Sequence, residues 1–228
     1  MEAINSNAKQ PTIWKRFTSK EQEFWIQTVE DYHAEVIVNA MIDLFFVDEP
    51  IAIYSKYCES PNFKTEIKST YEEIVPEGIS IVCLTNKNGS VQVAGFLCLV
   101  TSGWLKNCKH QSFVQQLVNI GLKSRKKYVE MDVQNYLAER GLLVFPEWRG
   151  FGIGKELLLC WPMVCKSLGL KLGYGSFTSR FSQAAAESAG LVEVNSIPYT
   201  DLRVHYPHFA PEGVEEHTKS MKLFFAVV

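Results

Sequence analysis

Residues 142–159, LLVFPEWRGFGIGKELLL, constrain the fold of this 228-residue chain more than any other stretch. Four apolar residues lead into Pro146, Arg149 is followed by glycines at 150, 152 and 154, and an amphipathic run comes next. This order predicts a buried strand, a glycine turn and a helix. Glycines leave backbone N–H groups uncovered, and a helix N-terminus adds unpaired donors and a partial positive charge. The stretch therefore predicts a site for a phosphate or pyrophosphate group.

Two common glycine motifs do not fit these residues. A dinucleotide fingerprint that starts at Gly150 or Gly152 needs a third glycine where Lys155 or Leu157 stands. A P-loop needs Ser or Thr directly after its lysine to hold Mg²⁺, and Glu156 occupies that position. The turn therefore predicts an anion site of a different kind.

Alternating apolar patterns and turn residues predict a mixed α/β protein with about seven strands. The predicted strands cover residues 24–30, 79–85, 91–100, 135–145, 171–178, 191–196 and 220–227. The predicted helices cover residues 32–46, 112–127, 152–168 and 182–189. Residues 1–20 are polar and are predicted to form a flexible extension, which leaves 21–228 as one domain.

Composition excludes several classes of partner. The net charge is −2 with no Lys/Arg stripe, so we do not expect nucleic acid binding. The N-terminus has no apolar core of a signal peptide, and no run reaches about 18 apolar residues, so we expect no membrane association. The six cysteines form no C-x-x-C pair, which favours reduced thiols in the cytoplasm. His205 and His208 lie in a proline-flanked loop, so no metal site is expected.

The pattern R-x-x-G-x-G, made by Arg149, Gly152 and Gly154, resembles the coenzyme A pyrophosphate turn of the Gcn5-related N-acetyltransferase superfamily. The resemblance implies a single mixed, mostly antiparallel sheet flanked by helices, and acetyl-CoA as a ligand. It also implies a bulge that splays the strand before the turn, so that this strand can pair with pantetheine. The residues implied to contact coenzyme A are Leu143, Val144, Phe145, Arg149, Gly150, Phe151, Gly152, Ile153, Gly154 and Lys155.

A second element, LFFVDEPIA at residues 44–52, resembles the F-x-x-D/E-E-P-L element of insect-type arylalkylamine N-acetyltransferases, with Ile51 in place of leucine. The resemblance implies that Glu49 is the general base, with Phe45 and Pro50 beside it at the amine. An amine with a pKa of about 10 arrives protonated and cannot attack, so a carboxylate at this position has a chemical purpose. A solvated helix end is the alternative for this glutamate.

A third element, TSRFSQAAAESAGL at residues 178–191, is similar to that family's S-x-x-Y-S segment, and the likeness as a whole extends over residues 24–227. Thr178 and Ser182 fall on the family's two functional serines, and Ser182 would also face coenzyme A. Phe181 replaces a tyrosine whose phenol can protonate the leaving thiolate, which leaves Ser182 or water for that step. A plain helix N-cap is the alternative for Ser182.

These resemblances imply an acetyl-CoA-dependent N-acetyltransferase that acts on small arylalkylamines such as dopamine, tyramine, octopamine or serotonin by direct attack in a ternary complex. A protein, peptide or polyamine acetyltransferase on the same fold is one alternative. A non-catalytic coenzyme A-binding module is another. The expected partner is a small-molecule amine, and the expected state is a monomer or weak dimer.

Overall fold

The computed structural model describes residues 10–107, 135–207 and 210–228. They form one eight-stranded sheet in the order β1-β2-β3-β4-β5-β6-β8-β7, in which only β5 and β6 pair in parallel. The strands are β1 (Ile13–Ser19), β2 (Gln22–Thr28), β3 (Ile81–Lys87), β4 (Ser90–Thr101), β5 (Leu137–Val144), β6 (Leu172–Phe177), β7 (Val192–Pro198) and β8 (Ser220–Val227). The prediction of a mixed, mostly antiparallel sheet is confirmed, with one strand more than expected.

The additional strand is β1. It pairs with β2 through a two-residue turn in which Lys20 and Glu21 both have positive φ, as tight hairpin turns require. The prediction of a flexible extension is therefore wrong for Ile13–Ser19. The apolar signal was sparse there, but the Phe17 ring stacks on Phe24 at 5.2 Å and ties the strand to the sheet.

Helices cover both faces of the sheet. They are α1 (Ala34–Ala40), α2 (Phe46–Asp48), α3 (Pro50–Tyr54), α4 (Phe63–Ile74), α5 (Ser102–Asn107), α6 (Ile153–Ser167), α7 (Arg180–Ser188), α8 (Tyr199–His205) and α9 (Val214–His217). The predicted helix at 32–46 is interrupted by a π turn, Met41–Phe45, that joins α1 to α2. The predicted helix at 112–127 lies outside the described residues. None of the helices in the described ranges combines the length and the apolar character needed to cross a membrane.

The two faces carry separate cores. On one face α1 and α4 bury Ile37 and Ile67 against the sheet, and on the other α6 buries Leu157 and Trp161. Trp161 lies so close to β6 that a Cβ added at Gly173 would meet its ring at 2.5 Å. A glycine is therefore required where α6 crosses β6.

The sheet opens between β5 and β6. Only two residue pairs join these strands, Leu137 with Gly173 and Ala138 with Tyr174, and beyond them the strands separate. On its other edge β5 stays paired with β4, but the register shifts between Leu97 and Leu99. Two residues of β5, Arg140 and Gly141, stand opposite one residue of β4, which defines a bulge. Gly141 has φ +137°, so the bulge uses a conformation that favours glycine. The implied bulge and splay are both present.

Candidate active site

The glycine turn lies at the wide end of this opening. Gly150 and Gly152 both have φ +79°, and Gly152 is the residue from which α6 begins. A Cβ added at Gly152 would meet nothing within 4 Å, so the space above this backbone is open. Such a turn presents uncovered N–H groups and the positive end of a 15-residue helix to an anion.

The open edge of β5 adds backbone groups to the same space. Phe145 N–H donates to Ala94 O on β4 at 3.1 Å. Because backbone polar groups alternate along a strand, those of Leu143 also face β4, and those of Leu142 and Val144 face the opening. Among Leu143, Val144 and Phe145, the residues of this segment that were implied to contact coenzyme A, Val144 therefore has the suitable orientation. The sequence analysis did not identify Leu142 as a residue that faces the opening, because the bulge decides which residues of β5 direct their backbone groups toward β4.

Glu49 occupies the junction between α2 and α3. Pro50 is the first residue of α3, and Glu49 adopts an extended conformation before it, as residues preceding proline do. The Glu49 side chain is only 7% exposed, and its Oε2 accepts a hydrogen bond from Ala52 N–H at 2.6 Å. The carboxylate is therefore held by its own helix N-terminus, and a solvated helix end is the wrong description for it.

The environment of this carboxylate favours a base. Burial raises the pKa of Glu49, and the Thr178 hydroxyl and the N–H groups of Ala52 and Ile51 offset the rise only in part. Thr178 lies close enough to the carboxyl group to lower its pKa, and Oε1 is buried with no hydrogen-bond partner among the described residues. A buried carboxylate oxygen with a raised pKa and no partner is available to accept a proton.

We expect Glu49→Gln to be more stable than the wild type at neutral pH. The folded state binds more protons than the unfolded chain between the unfolded pKa near 4.5 and the raised folded value, so wild-type stability falls as pH rises through that interval. Glutamine cannot ionise and still accepts from Ala52 N–H. Thermal unfolding of both proteins from about pH 5 to about pH 8 should show a widening difference. Curves that stay parallel would contradict the buried, ionising carboxylate.

The neighbouring Asp48 has a different environment. Its side chain is exposed, and its Oδ2 forms an ion pair with Arg149 of the glycine turn at 2.7 Å. Arg149 Nε also donates to Val144 O at 3.3 Å. Of the two adjacent acids, Asp48 thus forms an ion pair at the surface and Glu49 is a buried carboxylate. The pair also joins the Glu49 loop to the predicted anion site, a contact across 101 positions of sequence.

The serines of the third element are arranged differently from the prediction. Ser179, and not Ser182, is the N-cap of α7, because its Oγ accepts from Ser182 N–H at 3.1 Å. The Ser182 hydroxyl donates to Ser179 O at 3.0 Å and lies on the cavity wall. Phe181 is 67% exposed, and its ring lies 6.0 Å from that of His217. The N-cap alternative for Ser182 is therefore wrong, and its hydroxyl remains a candidate contact.

Ser179→Ala and Ser182→Ala should separate stability from catalysis. We expect Ser179→Ala to lower the free energy of unfolding by about 1 kcal/mol with little change in kcat, because α7 loses its cap. Ser182→Ala should change stability less and lower kcat. Denaturant unfolding and steady-state kinetics of both variants test this. If Ser182→Ala destabilises as much as Ser179→Ala and keeps its kcat, Ser182 serves only the cap.

A cavity of about 950 Å³ joins these groups. Its walls include the glycine turn, the Glu49 loop, the separated ends of β5 and β6, and the start of α7. The predicted site residues that line it are Phe45, Glu49, Pro50, Leu143, Val144, Arg149, Gly150, Gly152, Ile153, Gly154, Lys155, Thr178 and Ser182. Two predicted residues do not line it. Phe151 packs on Phe24 and Trp148 at 5.7 Å each, and Phe145 packs on Phe96 at 6.4 Å.

Sequence reasoning also missed a third acid in the lining of this cavity. Glu139 lies where β5 and β6 begin to separate, and its Oε1 accepts from Gly141 N–H in the bulge at 2.6 Å. Burial raises the pKa of Glu139 to about 7, and the Gly141 N–H and Arg140 offset part of the rise. A glycine and two charges inside the apolar run LAERGLLV were a signal for this bulge. No group of three or more His, Cys, Asp or Glu side chains in the described parts of the chain could hold a metal ion.

No protein-family model matches the chain, and none of the curated proteins matches it. Solved structures do match. The provisionally named arylalkylamine N-acetyltransferase 7 of the yellow fever mosquito Aedes aegypti is 24% identical, with 95% of each chain covered and a TM-score of 0.82. Aedes aegypti arylalkylamine N-acetyltransferase 2 is 18% identical, with 90% of this chain and 98% of that chain covered and a TM-score of 0.69. The polyamine N-acetyltransferase of Drosophila melanogaster, which forms N-acetylagmatine, is 17% identical, with 90% and 100% covered and a TM-score of 0.67.

The chain thus has the fold of the Gcn5-related N-acetyltransferases. Within that fold its architecture is similar to the insect arylalkylamine and polyamine N-acetyltransferases. The identities are low, so the likeness establishes the fold, while the reaction depends on the side chains of the site.

Proposed function

We propose that this protein is an acetyl-CoA-dependent N-acetyltransferase of small arylalkylamines. One observation carries the proposal: a buried carboxylate with an unpartnered oxygen and an anion-binding glycine turn stand on walls of the same cavity. A non-catalytic coenzyme A-binding module would need only the glycine turn. The carboxylate adds a group that can remove a proton from a second ligand.

The residues present fit acetyl-CoA. The N–H groups from Gly152 onward would hold its pyrophosphate, with Arg149 and Lys155 beside them. The open edge of β5 at Leu142 and Val144 would hydrogen-bond its pantetheine arm in the way an added strand does. When bound, acetyl-CoA supplies an activated acetyl thioester.

Glu49 would act on the amine. A primary alkylamine with a pKa of about 10 is almost entirely protonated at neutral pH, and a buried anionic carboxylate attracts the cation and then accepts its proton. Loss of that proton frees the nitrogen lone pair for direct attack while both substrates are bound. Thr178, which faces the Glu49 carboxyl group, would help to orient it.

The cavity lining favours an aromatic amine over a long polycation. Aromatic side chains recur in it, namely Phe45, Phe46, Trp148, Tyr174, Phe177 and Phe181. The described lining has three acids, of which Asp48 is paired with Arg149 and Glu139 accepts from the bulge. A polyamine remains the second candidate because the fold is also similar to the Drosophila polyamine enzyme. With either substrate class, we expect this protein to act in the cytoplasm as a monomer or weak dimer.

A substrate panel tests the proposal. Purified protein with acetyl-CoA should release thiol with tyramine or dopamine, more slowly with spermidine or agmatine, and not with a lysine-rich peptide. Glu49→Gln measured in parallel shows whether the turnover depends on the proposed base. Fastest release with polyamines would favour the second candidate. Coenzyme A binding without turnover on any amine would identify a non-catalytic module.

A further inference from the structure

We propose that Ser176 is a specificity-determining residue that hydrogen-bonds a hydroxyl group on the ring of the acceptor amine. It would make this protein selective for hydroxylated arylalkylamines over unsubstituted ones. The inference rests on the proposed function and narrows its substrate class.

The first observation is an unpartnered hydroxyl. Ser176 lies on β6 and lines the cavity, and its Oγ is buried without a hydrogen-bond partner among the described residues. A buried hydroxyl that gives up water and gains no partner lowers stability, and most such groups in proteins are satisfied. An alanine at this position would fit with a smaller volume and no desolvation cost. The presence of a serine at this position is therefore explained if a bound ligand forms a hydrogen bond with its hydroxyl group.

The second observation is its position relative to Glu49. Side chains two apart on a strand share a face, so Tyr174 and Ser176 point to the same side of β6, and Thr178 directly follows the end of that strand. Thr178 faces the Glu49 carboxyl group. Ser176 therefore lies two residues before Thr178, about 6.6 Å along the chain toward the closed end of the opening. A phenethylamine skeleton spans a comparable distance from its nitrogen to the far edge of its ring.

The chemistry of the surroundings selects the partner. Phe45 and Tyr174 line the same cavity, so a ring can rest beside Ser176 with its edge toward Oγ. A serine hydroxyl both donates and accepts, as a phenol does, and it carries no charge to hold an ammonium group. The ring hydroxyl of the amine is therefore the matching group, while the amine itself stays at Glu49.

The test compares two amines that differ by one hydroxyl. For the wild type and Ser176→Ala, kcat/KM is measured with tyramine and with phenethylamine at saturating acetyl-CoA. We expect the tyramine-to-phenethylamine ratio to fall about five- to tenfold in Ser176→Ala, because only tyramine loses a hydrogen bond. Ser188→Ala is the control, since Ser188 lines the cavity from an exposed helix end on a different element, and its ratio should equal that of the wild type.

An unchanged ratio in a folded Ser176→Ala variant overturns the inference. So does a rise in the acetyl-CoA KM that is equal for both amines, because Ser176 would then serve the cofactor. If the wild type acetylates neither amine, the proposed function fails separately. In that case calorimetry measures the binding of tyramine and phenethylamine to the protein loaded with coenzyme A. If tyramine binds the wild type and Ser176→Ala with equal affinity, the inference is overturned.

Discussion

Glu49→Gln is expected to lower kcat by about 10²–10⁴-fold, the usual contribution of a general base, with little change in the acetyl-CoA KM. Glutamine keeps the shape and the hydrogen bond from Ala52 N–H but cannot accept a proton. The deficit should shrink as pH rises, because a larger fraction of the amine then arrives neutral. Steady-state kinetics of both proteins across pH measure this. The wild type should lose activity on acidification at a pH above the ordinary glutamate range, because burial raises the pKa of Glu49.

Asp48→Asn is the matched control for this experiment. It changes the adjacent acid by the same one-atom replacement, and it removes an exposed ion pair worth at most about 1 kcal/mol. We expect a much smaller loss of kcat than in Glu49→Gln. A large loss of kcat in Asp48→Asn with near-normal turnover in Glu49→Gln would show that Asp48, and not Glu49, is the base. Normal turnover in both would exclude the proposed chemistry.

Gly152→Ala is expected to raise the acetyl-CoA KM at least about tenfold, which corresponds to about 1.4 kcal/mol of binding free energy. The added Cβ meets no protein atom within 4 Å, so its steric effect falls on a bound ligand, here the proposed pyrophosphate at the start of α6. The KM for the amine should change much less, because Glu49 lies on another wall. Equilibrium binding of coenzyme A gives the same comparison without turnover.

Gly169→Ala controls for backbone strain. Gly169 follows the other end of α6 with φ +69° and, like Gly152, has nothing within 4 Å of an added Cβ. Both variants therefore carry a similar cost of roughly 1–2 kcal/mol for alanine in the left-handed region. Only Gly152→Ala should weaken coenzyme A binding. Equal binding by the two variants would remove the glycine turn from the proposed site.

Much of the fold was predictable because its signals are local. The hairpin of β3 and β4 followed from two β-rich runs around a turn, and α6 followed from glycines ahead of an amphipathic run. The first strand was missed because Lys15 and Arg16 interrupt its apolar pattern, and its stability comes from pairing with β2 and from the Phe17–Phe24 contact. Local periodicity does not contain such pairings.

The candidate site was predictable in its residue types and only partly in its geometry. The glycine turn and Glu49 were identified from motifs, and both line the cavity. The orientation of Leu142 and Val144 was not predictable from the sequence, because the bulge at Arg140 and Gly141 changes which residues of β5 pair with β4. Phe145 and Phe151 were assigned to the cofactor from the family resemblance, but the Phe145 N–H bonds to β4 and the Phe151 ring packs against the core.

The sequence by itself determined the chemistry available to this protein: an uncovered turn before a helix, and a carboxylate placed before a proline. Those properties follow from the glycines' missing Cβ and the proline ring, which act on their immediate neighbours. Only the tertiary structure decided which of two adjacent acids is buried, that Arg149 pairs with Asp48, and that β5 and β6 separate to bring the turn and Glu49 to one cavity. These outcomes depend on packing between segments that are distant in the sequence, such as Asp48 and Arg149 at a separation of 101 positions, because burial and charged partners set the protonation of each group.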